Sequence, residues 1–393
     1  MLFILGLIQN PLRNFQMFLS KKTPLVAIDM GSHSIKMVQL AEIKGGNFEL
    51  VDLGMMPLEE GSIVEGSIKK PDQVSEALSR LIKAEKIKSN FVVASVSGEA
   101  VFIKKIKVAQ MTEEELSEKI TEEAEQYIPF DINDVALDFQ ILGPANGNNS
   151  QEKVDEKTDP DEKKPENETE TSDEPMVEAL LVAVQRDVID ERTDVLLEAG
   201  LKPTIIDLDV FALMNAASLS NDLSAMGSIA LIDLGDSFTH VNILQNGSIG
   251  YTRDIPVGGG YCSTMIMSKY QVPFKQTHRI KGGYLPDGVE KEEILDLIVR
   301  GYRKILEEIQ KSFEYFSTIS NCKVERVLLS GGGCLIQGMD GFMEDYLKVP
   351  AEMLNPMQAV KINPKNFDQG LITDLAGLST VAMGLATRRF DHT

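Results

Sequence analysis

The stretch Val26–Val38, VAIDMGSHSIKMV, has the pattern of an apolar strand, a tight turn of Asp, Gly and Ser, and a second strand. The same pattern returns at Ala230–Val241, ALIDLGDSFTHV, and the two stretches align without a gap. Internal repetition is examined first because it sets the architecture of the chain. The repeat predicts an α/β protein made of two similar halves whose turns face each other.

Length, composition and charge exclude several classes of protein. A chain of 393 residues is too long for one ordinary core, so several domains are expected. The net charge of −21 argues against a nucleic-acid-binding surface, which needs clustered Lys and Arg. The three cysteines have no paired spacing, which indicates a reducing compartment, and the four histidines have no metal-ligand spacing.

Two segments are predicted to lie outside the folded body. Residues 1–24 contain an apolar run, Met1–Ile8, that is too short to span a membrane and lacks the flanks of a signal peptide. We expect a tail there, either an interfacial helix or sequence upstream of a translation start at Met17. Residues 146–175 contain almost no apolar side chains, which predicts a disordered acidic insert.

Hydrophobic periodicity divides the remainder of the chain. The first half is predicted to comprise 25–100 and 176–226, including a strand at Glu178–Val184. A small inserted subdomain at 101–145 carries a helix with a capping box formed by Thr112 and Glu115. The second half is predicted at 227–389, with its own inserted subdomain at about 261–320. Within it we predict an irregular segment, a long helix and a helix of small residues, at Gln271–Gly288, Glu290–Ile319 and Leu375–Arg388 respectively.

The two turns supply groups that bind phosphate and a metal ion. Glycine allows close approach of the backbone, and successive N–H groups and hydroxyls can surround phosphate oxygens. The carboxylates of Asp29 and Asp233 suit a Mg²⁺ ion that keeps most of its waters and bridges phosphates. We therefore predict phosphate-binding residues in both turns, although two ligand-free hairpins are the alternative; they are Gly31, Ser32, His33, Ser34, Lys36, Gly235, Asp236 and Ser237.

A third glycine-rich turn completes the predicted nucleotide site. The strand Val324–Leu329 leads into a turn whose bare backbone could lie against adenine and ribose, with candidate residues Gly331, Gly332, Gly333 and Ile336. Asp209, at a strand-to-helix junction, is the candidate for orienting an attacking water, although a plain helix N-terminal residue is equally compatible. The segment Gly61–Ser67 lacks the Lys of a P-loop.

The order of these motifs resembles the actin-like ATPase superfamily, which includes actin, sugar kinases, heat-shock chaperones and FtsA. It resembles most closely the PilM family of type IV pilus assembly, in the FtsA-like branch. The resemblance runs from about Met17 to Arg389 without the acidic insert, and further segments support it, namely Glu125–Phe130, Asp207–Leu213, Thr252–Gly259 and Ala382–Ala386.

The PilM resemblance implies two RNase H-like halves around a cleft for ATP and Mg²⁺, with a small FtsA-type α+β subdomain. It also implies a cytoplasmic scaffold, peripheral to the inner membrane, that binds the N-terminal cytoplasmic tail of a PilN-like protein in a nucleotide-dependent way. The expected groove lies near Val101–Val108 and Glu113–Tyr127. Other pilus assembly proteins and self-association are further expected partners.

Two alternatives and two departures accompany this interpretation. The alternatives are an FtsA-like cell-division ATPase and a small-molecule kinase of the same fold, for which we find no convincing substrate-binding set. His33 stands where the family has small hydroxyl residues, and Asp236 adds a negative charge beside the second turn. Asp236 therefore argues for slow ATP hydrolysis at most.

Overall fold

The structure is a computed structural model that describes residues 25–144, 175–285 and 289–389. The predicted tail 1–24 and nearly all of the predicted insert 146–175 lie outside the described residues. The chain divides into two compact units, the first made of Met1–Val101 and Gln185–Thr393 and the second of Phe102–Val184.

The described residues form strands and helices that we number in chain order. The strands are β1 (Val26–Met30), β2 (Ser34–Glu42), β3 (Phe48–Pro57), β4 (Ile63–Val64), β5 (Ser67–Ile68), β6 (Phe91–Val96), β7 (Val101–Ala109), β8 (Val135–Pro144), β9 (Met176–Gln185), β10 (Lys202–Leu208), β11 (Ser228–Leu234), β12 (Thr239–Gln245), β13 (Ser248–Ile255), β14 (Arg326–Ser330) and β15 (Ala351–Met353). The helices are α1 (Pro71–Ala84), α2 (Glu113–Glu125), α3 (Arg186–Glu198), α4 (Asp209–Ser220), α5 (Gly259–Tyr270), α6 (Phe274–Lys281), α7 (Lys291–Ser320), α8 (Met339–Leu347), α9 (Gln369–Ala376) and α10 (Thr380–Leu385).

The first unit contains two five-stranded sheets with the same topology. One sheet has the order β10-β6-β1-β2-β3, and the other has the order β15-β14-β11-β12-β13. In each sheet the repeated strand pairs antiparallel with the strand after it and parallel with the strand that returns to its other side. The repeat in the sequence therefore corresponds to a repeat in the fold, as predicted.

Each sheet is buried against helices. The first shares a core with α4 and α10, whose small residues include Ala212, Ala216 and Ala382. The second packs against α5 and the long α7, which contributes Tyr302 and Phe316 to the core. Because both faces of a parallel strand pair need covering, the central strands read as almost continuous apolar runs.

The second unit is a three-stranded sheet, β7-β9-β8, with α2 packed on one face. The predicted capping box forms, since the Thr112 hydroxyl accepts from the Glu115 N–H at 3.2 Å and the Glu115 carboxylate accepts from the Thr112 N–H at 2.8 Å. The strand predicted at Glu178–Val184 lies in this sheet, whereas we expected it in the first half. Its alternate residues Val177, Ala179 and Leu181 fit the apolar stripe of α2.

Two further predictions of local structure were wrong, and one element was missed. The single helix predicted at Leu375–Arg388 is two helices, α9 and α10, separated at Gly377. The Gly377 carbonyl, at the end of α9, accepts a hydrogen bond from the Gly331 N–H at 3.0 Å. The segment expected to be irregular contains α6, and the short hairpin β4–β5 was not predicted, because neither carries enough apolar residues to show a period.

Within the described ranges, no helix has both the length and the apolar composition needed to cross a membrane.

Candidate functional site

The two predicted turns lie against each other. The first closes with the Gly31 N–H donating to the Ser34 carbonyl at 3.2 Å, and the second with the Gly235 N–H donating to the Phe238 carbonyl at 2.9 Å. The Ser237 hydroxyl donates to the Ser32 hydroxyl at 2.9 Å, which joins the turns directly. The repeated strand–turn–strand units therefore meet at their turns, and hydroxyls and backbone N–H groups of both halves share one place.

Three carboxylates converge beside these turns. Asp29 lies near the end of β1, Asp209 begins α4 after β10, and Asp233 lies near the end of β11. Burial raises the pKa of Asp29, and the charges of Asp209 and Asp233 raise it further, against the opposing effect of Lys36. Asp209 and Asp233 therefore lie near enough to Asp29 to act on its charge.

Lys36 faces Asp29 across the first hairpin. The two residues are register partners in β1 and β2, and the Lys36 ammonium lies 3.2 Å from the Asp29 carboxylate. Burial alone would lower the pKa of Lys36, but Asp29, Asp233 and Asp209 outweigh that effect and raise it. Lys36 therefore stays charged at the point where the strands end.

His240 occupies in the second repeat the position that Lys36 occupies in the first. Its Nδ1 lies 2.7 Å from the Asp254 carboxylate, and its Nε2 lies 4.0 Å from that of Asp209. Burial would lower the pKa of His240, but Asp254, then Asp209 and Asp233, raise it to about 10. Asp254 also accepts from the Gly98 N–H at 2.6 Å, so this cluster joins the two halves a second time.

The third turn lies beside the second. The Ser330 hydroxyl donates to Asp233 at 2.7 Å, and Gly331 adopts a positive φ of 87°. A Cβ at Gly331 would lie 2.5 Å from the Leu234 carbonyl, so only glycine fits this close approach. The Gly333 carbonyl accepts from the hydroxyl of Tyr302 in α7 at 3.0 Å, which ties the turn to that helix.

The predicted third-turn candidates do not all lie in the same surroundings. Gly332 is exposed and Gly333 is buried, whereas Ile336 packs at the rim of the core of the second sheet. Its carbonyl accepts from the Met339 N–H at the start of α8. The structure therefore gives Ile336 a packing role and brings it into none of the contacts that join the turns.

The structure also shows what surrounds His33 and Asp236, the two residues that depart from the family pattern. The His33 ring lies 4.2 Å from that of His278 and 5.8 Å from that of Phe274, both in α6. Burial lowers the pKa of His33, and lowers that of His278 to about 3 with help from Lys281. His278 is therefore uncharged at neutral pH, and α6 covers the tip of the first turn with aromatic rings.

Asp236, in the second turn, lies beside the first residues of α5. Its carbonyl accepts from the Gly260 N–H at 2.8 Å, and a Cβ at Gly260 would lie 3.0 Å from its carboxylate. A negative charge beside the first turn of a helix is stabilised by the helix dipole. Asp236 therefore has a structural reason to be acidic that does not involve phosphate or metal.

The sequence reasoning missed Phe238, His240, Asp254 and Gly98. The first two stand inside the quoted repeat, so their position was visible although their role was not. Counting outward from the Asn246–Gly247 turn would pair His240 with Arg253. A register shift between Ile243 and Leu244 pairs it with Asp254 instead, and no sequence pattern marks that bulge.

The groups gathered at the turns are carboxylates, hydroxyls and a lysine ammonium, which are of the kinds that can meet a metal ion and an anion. Among residues 25–144, 175–285 and 289–389 no group of three or more His, Cys, Asp or Glu side chains is arranged to hold a metal ion alone. Asp29 and Asp233 together could hold a Mg²⁺ that takes its remaining ligands from water and phosphate. The glycines of the three turns have no side chain, so a phosphate could come close to the backbone of the turns.

The paired sheets of identical topology, joined through their turns, define an actin-like fold. The chain belongs to the family described as type IV pilus assembly protein PilM, whose sequence model matches residues 27–155 and 166–390. Among solved structures, the PilM–PilN type IV pilus biogenesis complex is similar, with a TM-score of 0.75 and 24% identity over 92% of this chain and 97% of that one.

Two relatives outside pilus assembly share the fold or part of the sequence. The ethanolamine utilization protein EutJ from Carboxydothermus hydrogenoformans has a TM-score of 0.53 at 13% identity, over 93% of this chain and 89% of that one. The cell division protein FtsA of Bacillus subtilis (strain 168) is 25% identical over 203 residues, which are 46% of this chain and 45% of FtsA. The matched region thus spans less than half of the length of that curated relative.

Proposed function

We propose that the chain is an ATP-binding scaffold of type IV pilus assembly that holds the cytoplasmic tail of a PilN-like inner-membrane protein according to its nucleotide state. The observation that supports it best is the hydrogen bond between Ser32 and Ser237, which brings two equivalent Asp–Gly turns together. Membership of the PilM family supports the cellular role.

The three turns fit a nucleotide by shape and by charge. A Cβ at Gly31 would lie 2.9 Å from the Lys36 ammonium, and one at Gly235 would lie 2.9 Å from the Phe238 carbonyl. Glycine at both positions keeps the turns tight, since the Gly31 and Gly235 N–H groups close them, and lets a phosphate come close to the backbone. Asp29 and Asp233 would hold Mg²⁺ with its waters, and Lys36 would face the phosphates as a point charge.

The proposed site favours slow hydrolysis. Asp209 would orient the attacking water, and His240 is the nearest imidazole to it, at 4.0 Å. Because the pKa of His240 is raised to about 10, its ring is protonated at neutral pH and cannot accept a proton from water. Asp209 would then be the lone proton acceptor of this pair, which is consistent with nucleotide acting mainly as a conformational signal.

The partner segment is proposed to dock on the small second unit. In the PilM–PilN complex, a protein similar to this chain is assembled with PilN. Strand β7 lies at an edge of its sheet and carries exposed Lys104, Lys105 and Lys107. An edge strand can pair with an extended peptide, with main-chain hydrogen bonds supplying affinity. Membrane association would then come through the partner.

The test of the nucleotide site uses Asp29→Asn and Asp233→Asn. Each change removes a proposed metal partner without altering side-chain volume, so we expect each variant to remain folded and to lose Mg²⁺-dependent ATP binding. Binding is measured by calorimetry with and without Mg²⁺, and folding by circular dichroism. The matched control is Asp374→Asn, an exposed carboxylate of α9. Unchanged ATP affinity in both variants would reject the site.

A further inference from the structure

Helix α3 carries a buried guanidinium whose hydrogen-bonding groups are only partly used. Arg192 is 4% exposed, and its Nη2 donates to the Gly66 carbonyl at 2.7 Å. Its Nε and Nη1 meet no acceptor in the part of the chain that the structure describes. Within the same residues, no carboxylate lies within 4.0 Å of it as an ion-pair partner. Arg192 is therefore neither a solvated surface charge nor half of a structural salt bridge.

Such a group is costly to keep in a fold. A buried donor without an acceptor destabilises the fold, and more so when it is charged. Buried polar side chains are nearly always satisfied, so an exception points to a bound molecule that the donors would meet. The unsatisfied Nε and Nη1 of Arg192 thus indicate a missing acceptor.

The guanidinium lies near the carboxylates of the candidate nucleotide site. Burial lowers the pKa of Arg192, whereas Asp209, Glu191 and Asp29 raise it in that order, so the carboxylates at the ends of β10 and β1 act on it. The Gly66 turn that Arg192 holds also lies against the ring of Phe238, which belongs to the second phosphate turn. Arg192 therefore approaches the carboxylate cluster from the side of α3.

The position of this arm is fixed by its own helix. The neighbouring Glu191 accepts from the Ser67 hydroxyl at 3.2 Å and from the Ile68 N–H at 2.9 Å. Together Glu191 and Arg192 tie α3 to the β4–β5 hairpin. The guanidinium is therefore held in place before any ligand arrives, which lowers the entropy lost on binding.

The charges around the site favour an oxyanion as the missing acceptor. Lys36 is paired with Asp29, and His240 is paired with Asp254. Among the described residues, two cations near the turns, Arg192 and Lys281, have no carboxylate as an ion-pair partner. Lys281 donates to the Gly259 carbonyl at 3.2 Å, whereas two of the donor nitrogens of Arg192 meet no acceptor. Guanidinium groups are preferred for phosphate because they are always charged and present several donors in a plane.

We propose that Arg192 donates hydrogen bonds to the terminal phosphate of the bound nucleotide and makes the site prefer ATP over ADP. This inference rests on the proposed function. It assigns to α3 a contact that distinguishes the two nucleotides, whereas the groups of the turns are shared by both.

The test compares affinities for Mg-ADP and for Mg-AMPPNP in Arg192→Met and Arg192→Lys. Methionine keeps the apolar part of the buried arm as far as the ε position and removes the charge, and lysine keeps a charge without the planar set of donors. We expect about 10–100-fold weaker AMPPNP binding in Arg192→Met, since a hydrogen bond to a charged group contributes about 1.5–3 kcal/mol. ADP affinity should stay within about twofold, and Arg192→Lys should fall between.

Control measurements separate this role from others. Arg186→Met, at the exposed start of α3, should leave both affinities unchanged. Adding inorganic phosphate to the Mg-ADP complex should give saturable binding in the parent and none in Arg192→Met. Equal losses for both nucleotides, or no loss for AMPPNP in either variant, would overturn the inference. A parent chain that binds neither nucleotide would overturn the proposed function as well.

Discussion

The imidazole of His240 is surrounded by the carboxylates of Asp254, Asp209 and Asp233. Its pKa is raised from the ordinary 6.5 to about 10, although burial works against the rise. A raised pKa means that the folded state binds this proton more tightly than the unfolded chain does. The stabilisation is therefore fully present below pH 6.5 and is lost as pH rises towards 10.

We expect His240→Gln to reduce the free energy of unfolding by a few kcal/mol at pH 6.5, and by progressively less towards pH 9.5. The measurement is urea unfolding of parent and variant across this range. His278→Gln is the control, because the pKa of His278 is lowered to about 3 and it carries no charge anywhere in that range. A His240→Gln deficit that does not change with pH would contradict the assignment.

At the residue scale, the parts of the site that could be predicted are those fixed by neighbours in sequence. Asp29, Lys36 and Asp233 belong to one strand–turn–strand pattern, so their positions follow from the repeat. The contact of His240 with Asp254 depends on a bulge, and that of Arg192 with Gly66 joins distant segments. Neither leaves a local signal, because long-range register and side-chain reach are decided by packing.

At the scale of elements, helix α10 depends on glycine for its contact with α4. A Cβ at Gly384 would lie 1.7 Å from the Ala212 carbonyl oxygen, and the backbone there cannot yield as a flexible side chain would. The small-residue composition of this segment predicted tight packing. Its division into α9 and α10 could not be predicted, because the contact made there, between the Gly377 carbonyl and the distant Gly331 N–H, is not marked by any local pattern.

We expect Gly384→Ala to destabilise the fold by more than about 3 kcal/mol, because the overlap forces the two helices apart. Gly341→Ala is the matched control, in α8, where nothing lies within 4 Å of the added methyl group. Alanine should stabilise that exposed helix by roughly 0.5–1 kcal/mol. Thermal unfolding of both variants gives the comparison, and similar melting temperatures for the two would show that α10 does not pack as described.

At the scale of the whole molecule, two of the hydrogen bonds between the halves of the first unit lie at the candidate site. The Ser32–Ser237 hydrogen bond connects the turns, and the Gly98–Asp254 hydrogen bond connects β6 to β13. A ligand that enters between the turns must therefore alter or replace these contacts. Nucleotide binding and the relative positions of the halves are expected to be coupled for this reason.

The coupling to the partner can be tested through reciprocity. If Mg-ATP raises the affinity of the chain for the PilN-like tail peptide by some factor, the peptide must raise the affinity for Mg-ATP by the same factor. We expect a factor of about 5–150, the usual range for coupled sites. Calorimetric titrations in both orders measure it, and a variant combining Asp29→Asn with Asp233→Asn should bind the peptide with no response to ATP.

The possible results separate the parts of the proposal. Peptide affinity that is equal with and without ATP in the parent would leave the scaffold role standing and remove its nucleotide dependence. Absence of peptide binding in both conditions would remove the partner and favour the division-ATPase alternative, to which the partial match with FtsA already belongs. A factor above one in both orders would show that each ligand favours the states that bind the other, and its size, rather than its equality in the two orders, measures the coupling.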